Sequence, residues 1–468
     1  MDYKQISSED ISYFASICMH AQVFTDAESL LKYSKDETED LSLLPHVVLK
    51  PNTVEEVALI LKYSNEKRIP VTPRGAGTGL SGGALPLYGG VVLSMEKFNQ
   101  IIEIDERNLQ ATVEPGVINQ IFQDEVAKKG LFYPPDPASR GSCFLGGNIA
   151  HCSGGPRAVK YGVTRDYVLN LEVVLPNGDI IWTGSNTLKN STGYSLTHLM
   201  IGSEGTLGIV TKIVFKLIPL PQKNVLMLVP FNDAEMACAA VAAVFYKGIV
   251  PSAMEFMERD AIDWALKYVD GINLAVDDKV QAHLLIELDG NDLDVLLKEA
   301  ELVADVVAQF DCGEILFADT EAQKQNLWKM RRSVAEAVKS NSVYKEEDTV
   351  VKRAELPRLL KGVKEIGKKY GFKSVCYGHA GDGNLHVNII KGELSDQVWN
   401  EEITKGIAEI FQLCVSLGGT ISGEHGIGLV QKKYLTIAQS KAQIELQIGI
   451  KKVFDANNIL NPGKIFNV

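Results

Sequence analysis

Residues 74–90 read RGAGTGLSGGALPLYGG, and seven of these 17 positions are glycine. With 40 glycines in 468 residues, a window of that length should hold one or two. Such density serves turns with positive φ and lets backbone N–H groups close on an anion, usually a phosphate. Gly77, Gly79 and Gly82 have the G-x-G-x-x-G spacing of a dinucleotide-binding βαβ unit, and Glu96 lies near the offset of its ribose-binding acid. That fingerprint needs an amphipathic helix after the third glycine. Here only residues 83–90 intervene before the next apolar run, and they include Pro86, Gly89 and Gly90. The loop is expected to join two strands as a diphosphate-binding nest without a helix. A hairpin turn alone needs about two glycines.

Outward from the loop, the pattern is that of an α+β chain. Thr53-x-x-Glu56 is a capping-box signal, and Val54, Val57, Ala58 and Leu61 stripe a helix over 53–68. Strands are expected at 69–72, 90–95, 101–105 and 109–114, then a helix over 117–129 stopped by Gly130. Residues 131–210 read as glycine-rich turns alternating with strands at 169–175 and 180–183. The stretch LIPLPQ at 217–222 marks a boundary. After it come helical patterns at 234–247, 292–309 and 320–340, with strands at 283–288 and 314–317. The organisation expected is a first domain over 1–220, a second α+β domain with an antiparallel sheet over 221–416, and a segment over 417–468 that rejoins the first.

Composition removes several classes of function. The 47 Lys+Arg against 59 Asp+Glu leave a net charge of −12, which argues against nucleic-acid binding. The start MDYKQISSED has no basic or apolar leader region, and the longest apolar run in a helical stretch, Met236–Tyr246, is too short to span a bilayer. Seven scattered cysteines without a C-x-x-C pair read as reduced thiols. A cytoplasmic protein without a transmembrane segment is expected.

Two further clusters follow the first: PPDPAS at 134–139 with GSCFLGGN at 141–148 and SGG at 153–155, then GSEGTLG at 202–208. Three separated loops of glycine and small hydroxyls suit one extended cofactor. PRGAGTGLSGG, SCFLGGNIAHCSGGP, YGVTRDYVLNLEVVLPNG and IGSEGTLGIVT resemble the FAD-binding domain of the vanillyl-alcohol-oxidase/PCMH superfamily. Within it the chain is similar to the branch that holds the flavin-binding chain of glycolate oxidase and the D-lactate and D-2-hydroxyglutarate dehydrogenases. The resemblance spans roughly residues 40–468. It implies a PCMH-type FAD-binding domain plus an α+β substrate (cap) domain. It implies that Pro73, Arg74, Gly75, Ala76, Gly77 and Thr78, with Gly79, Ser81, Gly82 and Gly83, hold the FAD diphosphate. Pro137, Ser139, Gly146, Gly147, Asn148, Ser153, Gly154, Tyr161, Glu204, Gly205 and Ile209 would line other parts of FAD, and Asn461 would return to the flavin domain. Relatives that tether flavin through this loop carry a histidine about where Thr78 stands, so non-covalent FAD is expected.

Three of the eight histidines fall within 47 residues: His379, His386 and His425. The first two flank a turn in YGHAGDGNLHVNI. If they oppose one another across a hairpin, their Cβ atoms are ~5 Å apart, close enough to share a metal. Glu424, in SGEHGIG, offers a third ligand; two histidines and a carboxylate suit a divalent zinc or iron. The resemblance implies the same set and makes His425 the general base. A 2-hydroxy acid carries a carboxylate, so cations are wanted. Arg331, in WKMRR, is the candidate clamp and Lys345 a second. The resemblance points to both. Ala335 replaces a hydroxyl of the 2-hydroxyglutarate branch, and Glu346-Glu347-Asp348 argue against a pocket for a second carboxylate, hence for lactate or glycolate.

The mechanism expected is deprotonation of the metal-bound 2-hydroxyl by His425, with hydride passing from C2 to flavin N5. The chain has no haem or iron–sulfur motif of its own. It resembles the flavin subunit of electron-bifurcating lactate dehydrogenase complexes, which implies electron-transferring flavoprotein subunits as partners. An iron–sulfur subunit, a quinone or oxygen as acceptor stays open, as does a homo-oligomer. A metal-dependent hydrolase would leave the glycine loops without purpose. A flavin electron carrier without substrate chemistry would leave the histidines without purpose.

Overall fold

The computed structural model describes residues 3–18, 22–272 and 274–468. The chain forms two compact units, one of residues 1–154, 163–220 and 424–468, the other of residues 155–162 and 221–423. The chain passes between units after Gly154, Gly162, Leu220 and Gly423; the first two crossings fall inside the domain expected over 1–220, and the last lies beyond the expected 416/417 junction.

In the first unit, strands β1 (Val23–Phe24), β2 (Val47–Leu49), β3 (Val71–Arg74) and β4 (Val91–Ser94) form a sheet in the order β1-β2-β4-β3. β4 runs parallel to both β2 and β3. The valine-rich β2 and β4 are wholly buried, as parallel strands covered on both faces must be. Neighbouring parallel strands need a crossover, normally a helix. Between β3 and β4 the glycine loop supplies that crossover, and no helix follows Gly82. The helix Val54–Lys67 packs beside this sheet. Thr53 Oγ1 accepts from the Glu56 N–H (3.2 Å), and the Glu56 carboxylate accepts from the Asn52 N–H (2.6 Å). Val57, Ile60 and Leu61 are fully buried against Val47, Val71 and Val91. Burial of each is worth about 1.5–3 kcal/mol.

A second sheet takes β5 (Ile101–Asp105), β6 (Gln110–Val113), β8 (Val168–Val174), β9 (Ile180–Trp182) and β10 (Ile209–Lys216) in the order β5-β6-β10-β8-β9. Two short strands, β7 (Leu131–Phe132) and β11 (Ile218–Pro219), pair separately. Among the helices without a counterpart in the sequence-based expectation are Ser8–Cys18 and Leu145–His151. The second contains Gly146 and Gly147, poor helix formers that read as turn. Packing explains Gly146: a Cβ there would lie 2.6 Å from Pro115 Cβ.

The second unit is built on seven strands: β12 (Lys223–Phe231), β13 (Ala253–Glu258), β14 (Ala282–Gly290), β15 (Leu316–Phe317), β16 (Tyr344–Val350), β17 (Lys373–Gly378) and β18 (Asn384–Ile390). Their order is β15-β12-β14-β13-β17-β18-β16, antiparallel throughout. One face packs its apolar side chains, Leu226, Leu228, Met257, Leu285 and Val375 among them, against the helices Arg259–Tyr268, Glu321–Arg332 and Val334–Asn341. The expectation of a single helix over 320–340 is corrected to these last two. The chain breaks at Ser333, whose hydroxyl donates back to Met330 O (2.9 Å), a bond that competes with helix continuation. All seven cysteines are free. Among the described residues, no helix is long and apolar enough to cross a membrane.

Candidate functional site

The first unit holds a cavity, open to solvent on one side, with a volume of about 240 Å³. The loop after β3 forms one wall, from Pro73 and Arg74 through Gly75, Ala76, Gly77, Thr78 and Gly79. Pro137, Ser139, Gly146, Gly147, Asn148 and Ser153 form another, and Glu204, Gly205, Ile209 and Asn461 complete the lining. Four predicted residues stand apart from it. Ser81 and Gly82 brace the loop from behind: Ser81 O accepts from Leu429 N–H (2.8 Å), and Gly82 N–H donates to Thr38 Oγ1 (2.6 Å). Gly154 lies next to the lining residue Ser153. Tyr161 belongs to the second unit, where its hydroxyl bonds both oxygens of Asp289 (2.8 and 2.9 Å). Glu96 is engaged by Lys50 (2.7 Å) and the Tyr33 hydroxyl (2.7 Å).

The chemistry of the lining fits a phosphate-bearing cofactor. Gly77 has φ +78°, and a Cβ there would lie 2.2 Å from the Arg74 guanidinium, so the backbone wraps a buried cation as only glycine allows. Arg74 Nη1 is buried without a hydrogen-bond partner among the described residues, an atom suited to an anionic ligand.

Glu424 and His425 line the same cavity. A buried carboxylate holds their turn in place: Glu204 accepts from the N–H groups of Ile427 and Gly428, both at 2.8 Å. Just before them Gly426 has φ +79°, and a Cβ there would come within 2.8 Å of Glu204 and 2.7 Å of His151. Asn461 Nδ2 donates to Gly83 O (2.9 Å) and Glu204 O (2.8 Å), stitching the tail to both the glycine loop and the acid that holds the turn.

The second unit gathers a polar group on one sheet face. Register places Met257 opposite His283 and Tyr377, Tyr377 opposite His386, and His386 opposite Asp348. Side chains two residues apart along a strand share a face, so Glu255 and Glu346 join this set. His386 therefore opposes Tyr377, and not His379 as a symmetrical hairpin would have it. The turn Ala380–Asp382 draws His379 past the end of β17. His379 stays on the same face, its ring 5.5 Å from that of His386 and nearly perpendicular to it.

Glu255, which no motif in the sequence marks, organises the group. It is fully buried, 2.9 Å through each oxygen from His379 Nδ1 and 2.6 Å from Arg331 Nη2. Burial pushes its carboxyl up, but His379 and Arg331 together outweigh that and hold it below the ordinary range. A carboxylate on Nδ1 orients the ring and leaves Nε2 to face a ligand, the arrangement typical of metal-binding histidines. Arg331 also lies over the Tyr377 ring at 5.3 Å. His386 Nδ1 is 3.3 Å from Glu346 and 3.8 Å from Asp348. Asp348 in turn accepts from Asn384 Nδ2 (2.7 Å), Ser422 Oγ (3.0 Å) and Gly423 N–H (2.7 Å). It thereby fixes the chain just before Glu424.

Lys345 is not brought to this group. It opposes Ile389, on the other face of the sheet from His386. There its ammonium donates to Trp399 O (2.8 Å) and sits 4.5 Å from the Trp399 ring centroid. Arg331, His379 and His386 are thus assembled by the second unit, and Glu424 and His425 by the first. His151 also lines the cavity; it was not among the expected site residues, although it lies inside a motif quoted for the cofactor.

Residues 45–184 match the family described as FAD binding domain, and residues 220–465 match that described as FAD linked oxidases, C-terminal domain. The chain is 40% identical over 439 residues to glycolate oxidase subunit GlcD of Bacillus subtilis, across 93% of this chain and 92% of that one. It is 36% identical over 473 residues to a D-lactate dehydrogenase of Anaerostipes hadrus, across 99% and 98% of the two chains. Among solved structures, p-cresol methylhydroxylase with substrate bound superimposes with a TM-score of 0.79 at 22% identity, over 99% of this chain and 98% of that one, which shows a shared fold.

Proposed function

The chain belongs to the FAD-linked oxidases that include the glycolate oxidase chain GlcD and the D-lactate dehydrogenases, and from that membership we propose that it oxidises a small 2-hydroxy acid, D-lactate foremost, to the 2-oxo acid. The observation that carries the reading is the buried Glu255, which aims His379 and Arg331 from one sheet face.

In this reading Arg331 receives the substrate carboxylate. Its ion pair with Glu255 keeps the buried charge compensated until substrate arrives. His379, His386 and Glu424 would hold one divalent metal, zinc or iron, with Glu255 orienting His379 from behind. When bound, the metal would supply acidification of the 2-hydroxyl, and FAD, held non-covalently, would supply the acceptor for the C2 hydride, hydrogen and both electrons together. His425 accepts the hydroxyl proton on its ring, placed for this by the turn that Glu204 fixes. A single-carboxylate substrate is favoured because Lys345 faces away, while Glu346 and Asp348 beside His386 would repel a second carboxylate. The electrons then leave to an electron-transferring flavoprotein, with an iron–sulfur subunit or a quinone as the alternative acceptor.

The test is spectroscopic. Anaerobic D-lactate should bleach the yellow band of the bound flavin, with glycolate slower and L-lactate inert. Flavin indifferent to every 2-hydroxy acid would leave the chain an electron carrier and end this reading.

A further inference from the structure

We propose that Val159 is a positioning residue for His379: it gauges the turn from which the imidazole projects, on a finger of chain that Asp289 anchors. The finger is residues 155–162, which pack within the second unit although the chain on either side belongs to the first. It carries the short helix Ala158–Tyr161. Asp289, buried in strand β14, receives Lys160 Nζ on its carboxylate (2.6 Å) and on its carbonyl (2.8 Å). The Tyr161 hydroxyl meets both its carboxylate oxygens (2.8 and 2.9 Å). Losing one of these bonds would leave a buried acid short of a partner, so the place of the finger is defined rather than loose. The proposed reaction uses none of these three side chains.

Val159, next to the two anchored residues, abuts the turn Ala380–Asp382. A Cβ on Gly381 would lie 2.6 Å from Val159 Cγ2, 3.1 Å from Val159 Cβ and 3.2 Å from Met254 Cβ, so not even a methyl group fits there. Gly381 is buried and its φ lies outside the left-handed region, so backbone conformation does not call for a glycine at this position. The close approach of Val159 does. His379 caps the turn, and its carbonyl accepts from the N–H groups of Asp382 and Asn384, both at 3.2 Å. A shift at Gly381 is therefore carried through a closed ring of backbone to His379, two residues away. Glu255 orients the imidazole through Nδ1, and Met254, the residue before it, lies against the same glycine. The acid sets the direction of the ring, and Val159 sets where its backbone stands. The inference rests on His379 serving in the site and not on which hydroxy acid is oxidised.

The test uses the full flavin-loaded chain and two readouts. One is flavin reduction by D-lactate; the other is the far-downfield proton resonance of the His379–Glu255 hydrogen bond, recognised by its loss in Glu255→Ala. The second needs no substrate. Gly381→Ala should displace the resonance and slow flavin reduction roughly tenfold, since a small misplacement near the reacting atoms is costly. Val159→Ala, which withdraws the stop, should act in the same direction by about threefold. In the double variant Gly381→Ala/Val159→Ala the added methyl occupies the space vacated opposite it, and both readouts should return toward the wild type. Wild-type resonance and rate in the single variants would overturn the proposal. So would a double variant no better than Gly381→Ala, or a displaced resonance with an unchanged rate, either of which makes Val159 a packing residue only. If Gly381→Ala does not fold, Val159→Ala decides alone on the same two readouts. Should D-lactate fail to reduce the wild-type flavin, the functional reading falls, and the resonance still decides whether Val159 places His379.

Discussion

The glycine-lined cavity of the first unit and the polar sheet face of the second solve recognition in opposite ways. The cavity is made largely of backbone: close approach at Gly77, Gly146 and Gly426 lets main chain and a buried arginine meet a large ligand. The sheet face is made of side chains brought from far apart in sequence, Glu255, Arg331, His379 and His386, in which each charge is met by another. Backbone recognition should tolerate changes to the charged groups, whereas the sheet face should fail when one member is lost. The difference sets what each kind of substitution ought to do.

The largest effect is expected at His425, the proposed base. His425→Ala should keep its flavin and lose ~10²–10⁴-fold in the rate at which D-lactate reduces it, followed by stopped-flow absorbance. A rate within a few-fold of the wild type would remove the base from the mechanism. Next comes Glu255→Gln, which withdraws the anion behind His379. Metal affinity should fall ~10–100-fold while FAD content holds, as read by metal analysis and flavin absorbance on one sample. Loss of FAD alongside the metal would erase the division of labour.

A third effect concerns stability. His283 shares the polar face, is nearly fully buried, and burial with the nearby Arg259 charge depresses its imidazole from 6.5 to about 4. The unfolded chain takes up a proton below pH 6.5 that the folded chain refuses until about pH 4. Stability is therefore intact above pH 6.5 and drains away as the pH falls toward 4, by about 3 kcal/mol in all. Urea unfolding at pH 7 and pH 4.5 should show the drop, and His283→Gln should flatten it; identical slopes in both proteins would contradict the assignment. The smallest effect is expected at Lys345. Lys345→Met should alter KM for the hydroxy acid by less than about twofold, since a cation on the opposite face contacts no substrate. A tenfold rise in KM would break the single-cation reading.

The same contrast governs what can be read from the chain before folding. Backbone recognition leaves a local trace, because glycine is spent where the main chain must bend or approach; the loop over 74–90 and its lack of a following helix are legible for that reason. Gly146 shows the limit, since a glycine needed for packing inside a helix looks the same as one needed for a turn. Side-chain recognition leaves a trace only when its members are close in sequence. His379 and His386 are visible as a pair, although their register is not, because a short helical turn displaces it. Glu255 stands alone in AMEFME, and nothing nearby in the sequence marks it as the partner of residues 76 and 124 positions away. Lys345 is misplaced by sequence because the acidic run KEED has little strand propensity, so the alternation that turns it away cannot be counted.

Asn461 bonds Gly83 and Glu204, and Leu460 bridges to Val71, so the cavity closes only once residues near 460 have joined those near 71. On the ribosome every residue of the second unit is made before the last segment of the first. The second unit, with its seven-stranded sheet, can thus fold before residues 424–468 are made, while the first must wait for them. Flavin capture then waits on residues near 460, and a chain cut short at residue 423 would carry a complete seven-stranded sheet and an open, unfastened cradle.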